Sequence, residues 1–241
     1  SYPLGIHPVG HMYARVAQAA GVGVNWAGSG AGTPSAVQIQ LLRDLKPTVW
    51  MGMSSYGIHL ANLAEASGID LAAIGVKKIV PSADPLSLAK RTKIERSWGA
   101  KVFDTFGMTE CGLMAAEDAG HDGLRLWTDM FLCEVLNPDT WEPVAEGEIG
   151  TLVTTSLWTN HATPFIRWSS GDLVSVHGEG KHDGPFSIFP LLRHVPLQEV
   201  ERRVVFFFER GVHQAVDAGR HALLVGERLL ERLLHRLELL R

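Results

Sequence analysis

Cysteine is scarce. Only Cys111 and Cys133 occur, too few for a disulfide framework, and neither belongs to a pair with zinc-ligand spacing. They read as free thiols of a reducing compartment. No uninterrupted apolar run reaches the roughly eighteen residues that a membrane span needs, and no basic leader followed by a short apolar core marks a signal peptide. The expected location is cytoplasmic, with no membrane partner. A basic surplus is missing too: 22 lysines and arginines stand against 26 acidic residues, a formal net charge of −4. A domain that grips phosphate backbones usually shows a basic excess or stripe, so nucleic acid is not an expected partner. The chain opens at Ser1 without methionine, directly in YPLGIHPVG, and reads as a trimmed or partial chain.

What is present is an ordinary globular composition, 241 residues with 46% hydrophobic and 20% charged, enough for one substantial core or two small ones. Up to about residue 105, helical and strand patterns alternate. HMYARVAQAAG has helical spacing and ends on Gly21, and GVNW reads as a short strand. TPSAVQIQLLRDLKP predicts a helix with Thr33 as cap and Pro34 in first position. TVWMGM and VKKIV predict strands, SSYGIHLANLAEASG and PLSLAKRTKIERSWG helices, and AKVFDTF one further strand. Such alternation implies a mainly parallel sheet flanked by helices. From about residue 123, LRLWTDMFLCEVLN, EIGTLVTTSLW and PFIRWSSGDLVSV predict a smaller antiparallel region. A leucine- and arginine-rich tail closes the chain, with Leu229, Leu230, Leu233, Leu234, Leu237 and Leu240 on one helical face. The fold class expected is α/β, divided into an alternating subdomain (1–122), a β-rich subdomain (123–198) and a hinge-like segment with a helical tail (199–241).

Two stretches compete as ligand sites. AGSGAGTPS, Ala27 to Ser35, is glycine-rich between a strand and a helix, as a phosphate cradle would be. It lacks the P-loop lysine and does not fit G-x-G-x-x-G, so a tight connection is the better reading. The missing fingerprint also counts against a nicotinamide-dependent oxidoreductase. FDTFGMTECG, Phe103 to Gly112, lies where parallel sheets place ligands, at the carboxyl end of a strand. On its own, Thr109 and Glu110 could cap a helix starting at Cys111, and Asp172 could be an ordinary turn residue.

The stretch has company, however: PSADPLS (Pro81 to Ser87) precedes it and PFIRWSSGDLV (Pro164 to Val174) follows. These three, in this order on this scaffold, resemble the adenylate-forming acyl-CoA ligases, and most of all their phenylacetate-CoA ligase branch. The segment from His121 to Val153 looks like that branch as well. The resemblance implies part of the large domain of such an enzyme, with ATP or AMP, Mg2+ and coenzyme A as cofactors and a small carboxylic acid as substrate. It implies that Ser82, Ala83 and Asp84 flank the adenine and that Phe106 offers it a ring face. Gly107 leaves room for the acyl group, and Met108 belongs to the same nucleotide-binding run. Thr109 and Glu110 take the catalytic roles, Thr109 as a donor to a phosphate oxygen and Glu110 as the magnesium ligand. Asp172 accepts both ribose hydroxyls, and Arg202 falls at the hinge. Tyr2 to His11 resembles the segment lining the acyl pocket, within which His7 reads as an ordinary loop histidine. Cys111 reads as a packing residue and not a nucleophile.

The resemblance covers roughly residues 1 to 212 and has departures. No serine-, threonine- and glycine-rich loop ending in lysine occurs, Phe208 stands where a lysine is usual, and the tail is unlike the family's small domain. The function expected is therefore an acid-CoA ligase acting through acyl-AMP on an aryl acid, present as a partial adenylation core. The alternative is a non-catalytic AMP-binding or self-associating remnant. The partner expectations are a homo-oligomer through the Leu229 to Leu240 face, or a complementing chain.

Overall fold

A computed structural model describes residues 1–4, 9–157, 163–178 and 189–195, all within the unit Ser1–Val195. Arg202, His7 and the leucine face from Leu229 to Leu240 lie outside the described residues. The alternating part holds helices α1 (Val9–Ala19), α2 (Ser35–Leu45), α3 (Ser54–Ala66) and α4 (Leu88–Trp98), with strands β1 (Val49–Met53), β2 (Lys78–Ser82) and β3 (Lys101–Val102). The strands form a parallel sheet in the order β1-β2-β3, with Val49 opposite Lys78 and Lys78 opposite Lys101.

Helix ends follow local chemistry. α1 stops because Gly21 takes a left-handed φ of 70°, which lets the Val22 N–H reach the Ala17 carbonyl at 2.9 Å and the Gly21 N–H that of Gln18 at 3.0 Å. The Ser87 hydroxyl caps α4 by accepting from the Lys90 N–H at 3.3 Å. α2 begins one residue later than the sequence predicts. The Pro34 carbonyl accepts from Val37 and Gln38, which makes Pro34 and not Thr33 the cap position. No strand forms at GVNW: its residues carry no ladder, Val22 beside it is 53% exposed and Trp26 44%. A strand needs a partner to take up its backbone groups, and none pairs with it among the described residues.

The antiparallel sheet is the larger of the two and begins earlier than the pattern predicts. AKVFDTF is not one strand. The Phe103 N–H still donates to the Ile79 carbonyl at 2.8 Å, then the chain leaves the parallel sheet at Asp104. It continues as β4 (Thr105–Met108), β5 (Gly112–Glu117), β6 (Leu124–Leu126), β7 (Phe131–Leu136), β8 (Ile149–Ser156), β9 (Leu173–His177) and β10 (Leu191–His194). These make a seven-stranded sheet ordered β4-β5-β6-β10-β9-β8-β7. LRLWTDMFLCEVLN splits into β6 and β7, because a turn closed by the Met130 and Phe131 N–H groups on the Trp127 carbonyl, 3.1 Å each, breaks the alternation. PFIRWSSGDLVSV is extended only from Leu173. Before it, positive φ at Arg167 (48°) and Gly171 (87°) leaves a single bridge from Trp168 to Thr154.

Each sheet has its own buried cluster. Trp50, Leu60, Ile79, Ile94, Trp98 and Val102 pack beside the parallel sheet, and Met114, Leu126, Phe131, Leu152, Val174 and Leu192 fill the antiparallel part. Arg125, 1% exposed, anchors β6 through Asp118 at 3.1 Å and Asp122 at 3.5 Å. It also reaches the Phe189 carbonyl at 3.4 Å, tying down the chain that enters β10. No helix among the described residues is long and apolar enough to cross a membrane.

Candidate functional site

Phe103 to Gly112 does not lead into a helix at Cys111. β4 turns straight back into β5 through Thr109, Glu110 and Cys111, closed by the Cys111 N–H on the Met108 carbonyl at 3.2 Å. Gly112 completes the turn at φ 84°. The hairpin itself explains Gly107: a Cβ there would collide with the Gly112 carbonyl oxygen and come within 2.9 Å of the Leu113 Cα. Thr109 stands exposed at the tip and Glu110 half-buried beside it, while Phe106, Met108 and Cys111 lie partly buried against the antiparallel core. Burial pushes the Cys111 thiol up, which keeps it from being a ready thiolate.

The Ser82–Asp84 run lies against this hairpin. The Thr105 hydroxyl, one residue before Phe106, donates to the Pro81 carbonyl at 2.6 Å. Ala83 carries a left-handed φ of 71°, unusual for a residue with a Cβ. Asp84 is engaged locally: its Oδ2 accepts from the Ser55 amide at 3.0 Å and the Ser55 hydroxyl at 2.6 Å. It thereby caps α3 from another segment, since Met53 at the cap position offers no acceptor. The amino-terminal segment joins the same region. Tyr2 stacks on Tyr13 with centroids 5.0 Å apart, and the Tyr13 hydroxyl meets that of Thr105 at 2.8 Å.

Asp172 and Phe106, distant in sequence, are brought together by a residue that no motif indicated. His194 on β10 donates from Nε2 to Asp172 Oδ1 at 3.2 Å, and its ring lies 5.8 Å from that of Phe106. Ser170 donates its hydroxyl to Asp172 Oδ2. The hydrogen bond from His194 holds the Asp172 carboxyl below the usual carboxylate range, with Ser170 adding to it and burial opposing. The only sequence trace of His194 is a histidine at the end of PLLRH; its role depends on the pairing of β10 with β9, which sets His194 opposite Val174.

A second group escaped the sequence reading. Burial pushes Asp104 up to about 7; Glu117 adds to the rise, while the Thr105 N–H, Arg91 and His194 oppose it. Glu117 is held by Arg91 at 2.7 Å and accepts the Asp104 N–H at 2.9 Å. An acid whose folded pKa is raised contributes stability that is full below its unfolded value near 3.8 and is lost as pH rises through about 7. Asp104→Asn is therefore expected to gain stability relative to the unsubstituted chain between pH 5 and pH 8. Urea midpoints at the two pH values check it, and an unchanged difference between the chains at pH 5 and pH 8 counts against it.

The glycine-rich run from Ala27 closes on itself. The Gly32 and Thr33 N–H groups donate to the Ser29 carbonyl, and the Gln38 amide donates to the carbonyls of Gly28 and Thr33. Beside it lies a cleft of about 300 Å3 lined in part by Ser1, Pro3, Gly30, Met53, Tyr56 and His59. The Ser35 hydroxyl joins Tyr56 and His59 at 3.1 and 3.2 Å.

No family model matches the chain. It is 33% identical over 140 residues to a phenylacetate-coenzyme A ligase of Thermus thermophilus, covering 57% of this chain and 31% of that protein. To the phenylacetate-coenzyme A ligase of Escherichia coli K12 it is 34% identical over 150 residues, 61% of this chain and 34% of the relative. The matches thus span about a third of the length of these curated relatives. Among solved structures it is similar to an open conformation of 2-hydroxyisobutyryl-CoA ligase in complex with 2-HIB-AMP and CoA. That match has a TM-score of 0.73 and 28% identity, and covers 80% of this chain and 42% of the other. In sequence the chain is similar to part of the phenylacetate-coenzyme A ligases, and its α/β architecture matches part of the 2-hydroxyisobutyryl-CoA ligase, an adenylate-forming CoA ligase.

Proposed function

We propose that this chain carries the nucleotide- and acyl-binding part of an ATP-dependent acid-CoA ligase. The reaction joins a small aryl carboxylic acid, phenylacetate or a close relative, to AMP with release of pyrophosphate, and the acyl group then passes to the thiol of coenzyme A. The observation that carries this reading is the convergence of Phe106, His194 and Asp172, an aromatic face beside a carboxylate held by two donors. Phe106 takes the adenine on its ring and Asp172 accepts the ribose hydroxyls. The backbone of residues 82–84, turned by the left-handed φ of 71° at Ala83, would be the part to meet the adenine edge. The acid occupies the cleft of about 300 Å3 beside α3, a volume at the small end of ligand sites.

Magnesium fits this reading only together with the nucleotide. Among the described residues no group of three or more His, Cys, Asp and Glu side chains converges to hold a metal. Mg2+ is commonly held by one or two carboxylates plus substrate phosphates, so Glu110 at the hairpin tip would supply the one carboxylate. An ion held there would supply positive charge against the phosphate oxygens. Thr109, exposed at the same tip, donates its hydroxyl to a phosphate oxygen.

The test uses a non-hydrolysable mimic, phenylacetyl-sulfamoyl-adenosine, compared with AMP by calorimetry on the full chain. The mimic is expected to bind about tenfold tighter or better, since burying the aryl group is worth roughly 1.5–3 kcal/mol. Equal affinities would mean that the chain recognises AMP without an acid, as expected of a non-catalytic remnant. No binding of either overturns the nucleotide reading.

A further inference from the structure

We propose that His194 is a positioning residue of the nucleotide site, holding the Asp172 carboxylate so that its remaining lone pairs face a ribose diol. The inference rests on the nucleotide reading above. Asp172 follows Gly171 (φ 87°), and its backbone is held by the Gly171 N–H on the Ser169 hydroxyl at 3.3 Å and by the Leu152 N–H on the Asp172 carbonyl at 2.9 Å, which leaves the side chain free to turn. Two donors from different segments remove that freedom: the Ser170 hydroxyl on Oδ2, and His194 Nε2 on Oδ1 at 3.2 Å. The His194 backbone is fixed by its register with Val174 and by the Val195 N–H, which donates to the Leu173 carbonyl at 2.9 Å. A carboxylate has about four lone-pair sites. Two are used by His194 and Ser170, which leaves the two acceptors that a 2′,3′-diol requires.

The same ring sets the spacing between the two halves of a nucleoside. Its Nε2 lies 3.2 Å from the carboxylate and its ring centroid 5.8 Å from that of Phe106. A platform for the base and an acceptor for the sugar are thus linked through one side chain. The His194 and Asp172 side chains are 24% and 31% exposed, open to a ligand yet enclosed enough to stay in place. Among the described residues, the charged groups facing His194 are Asp172 from the turn and Asp104 from the start of the hairpin.

The test is calorimetric titration of the full chain and of its His194→Ala and His194→Gln variants with AMP and with 2′,3′-dideoxy-AMP. His194→Ala is expected to weaken AMP about tenfold, the scale of one hydrogen bond to a charged group, and to leave dideoxy-AMP within about twofold. His194→Gln, whose side-chain amide keeps an N–H donor, is expected to recover most of the AMP affinity and the preference for the diol. Equal loss for both ligands means that the ring is only a structural support, and no loss means that Asp172 needs no help; either overturns the proposal. If His194→Ala does not fold, the Gln variant decides: loss of its diol preference supports no role for the donor and overturns it. An unsubstituted chain that binds no AMP overturns the nucleotide reading itself, and this role falls with it.

Discussion

Trp98→Ala is expected to destabilise the chain by roughly 3–5 kcal/mol, the range for deleting a large buried aromatic side chain. Trp98 is fully buried at the end of α4 and tilts against Trp50 of β1 with ring centroids 5.1 Å apart. Its indole also donates to the Gly57 carbonyl on α3 at 3.1 Å, so one side chain joins two helices to the sheet. Collapse into the space left is restricted. A Cβ at Gly52 would come 2.5 Å from the Trp50 ring and one at Gly57 3.1 Å, so that ring already fits tightly against glycine backbone. Urea unfolding followed by far-UV circular dichroism checks the prediction, with Trp98→Phe as comparison. The phenylalanine variant keeps much of the volume but leaves the Gly57 carbonyl unpaired, and is expected to lose about 1–3 kcal/mol. A loss below about 1 kcal/mol for Trp98→Ala would mean that the two tryptophans do not hold this core together. Domain stabilities are typically 5–15 kcal/mol, so the larger loss leaves little margin for folding.

This core was legible in the sequence because the signals that specify it are local. Gly21 ends α1 and Ser87 starts α4 through hydrogen bonds within a turn of the residues that name them. β1 and β2 pair in parallel and bury Trp50 and Ile79, which the apolar stretches VWMGM and KIV mark in the sequence. The errors fall where the outcome depends on a distant partner. GVNW has the composition of a strand but pairs with no neighbour among the described residues. AKVFDTF has the pattern of one strand, yet its first half completes a parallel ladder with β2 and its second half opens an antiparallel hairpin with β5. LRLWTDMFLCEVLN likewise divides between β6, in the middle of the large sheet, and β7 at its edge. No periodicity over a short window distinguishes those cases.

The candidate site shows the same division. Phe106, Gly107 and Asp172 were singled out from short motifs, whereas His194 and Asp104 were not, because their contacts arise between separate strands. Gly107 was expected to spare room for an acyl group, and the hairpin gives it a nearer reason in the approach of the Gly112 carbonyl. Asp84 was expected beside the adenine, and its carboxylate is spent on the amino end of α3, which leaves the backbone of residues 82–84 as the part that can meet a base.

Asp172→Ala is expected to weaken AMP binding by at least about 100-fold while leaving the fold intact. Each hydrogen bond to a charged acceptor is worth roughly 1.5–3 kcal/mol, and two ribose hydroxyls would lose theirs together, which corresponds to a factor of about 10² to 10⁴. The cost to stability is smaller. The Asp172 and His194 side chains both retain contact with water, so the histidine left behind is solvated and not stranded, and a partly exposed ion pair contributes about 1 kcal/mol or less. Affinity and stability should therefore separate, which distinguishes a ligand-binding carboxylate from a structural one. Asp172→Asn sharpens the distinction: it keeps the size and one acceptor but loses the charge that His194 and Ser170 address, so its affinity should lie between the other two. Calorimetric titration with AMP, alongside urea midpoints for each variant, reads both quantities. A change in AMP affinity below about threefold for Asp172→Ala would remove the ribose from this carboxylate. The convergence on His194 would then be a brace between β9 and β10 rather than part of a nucleotide site.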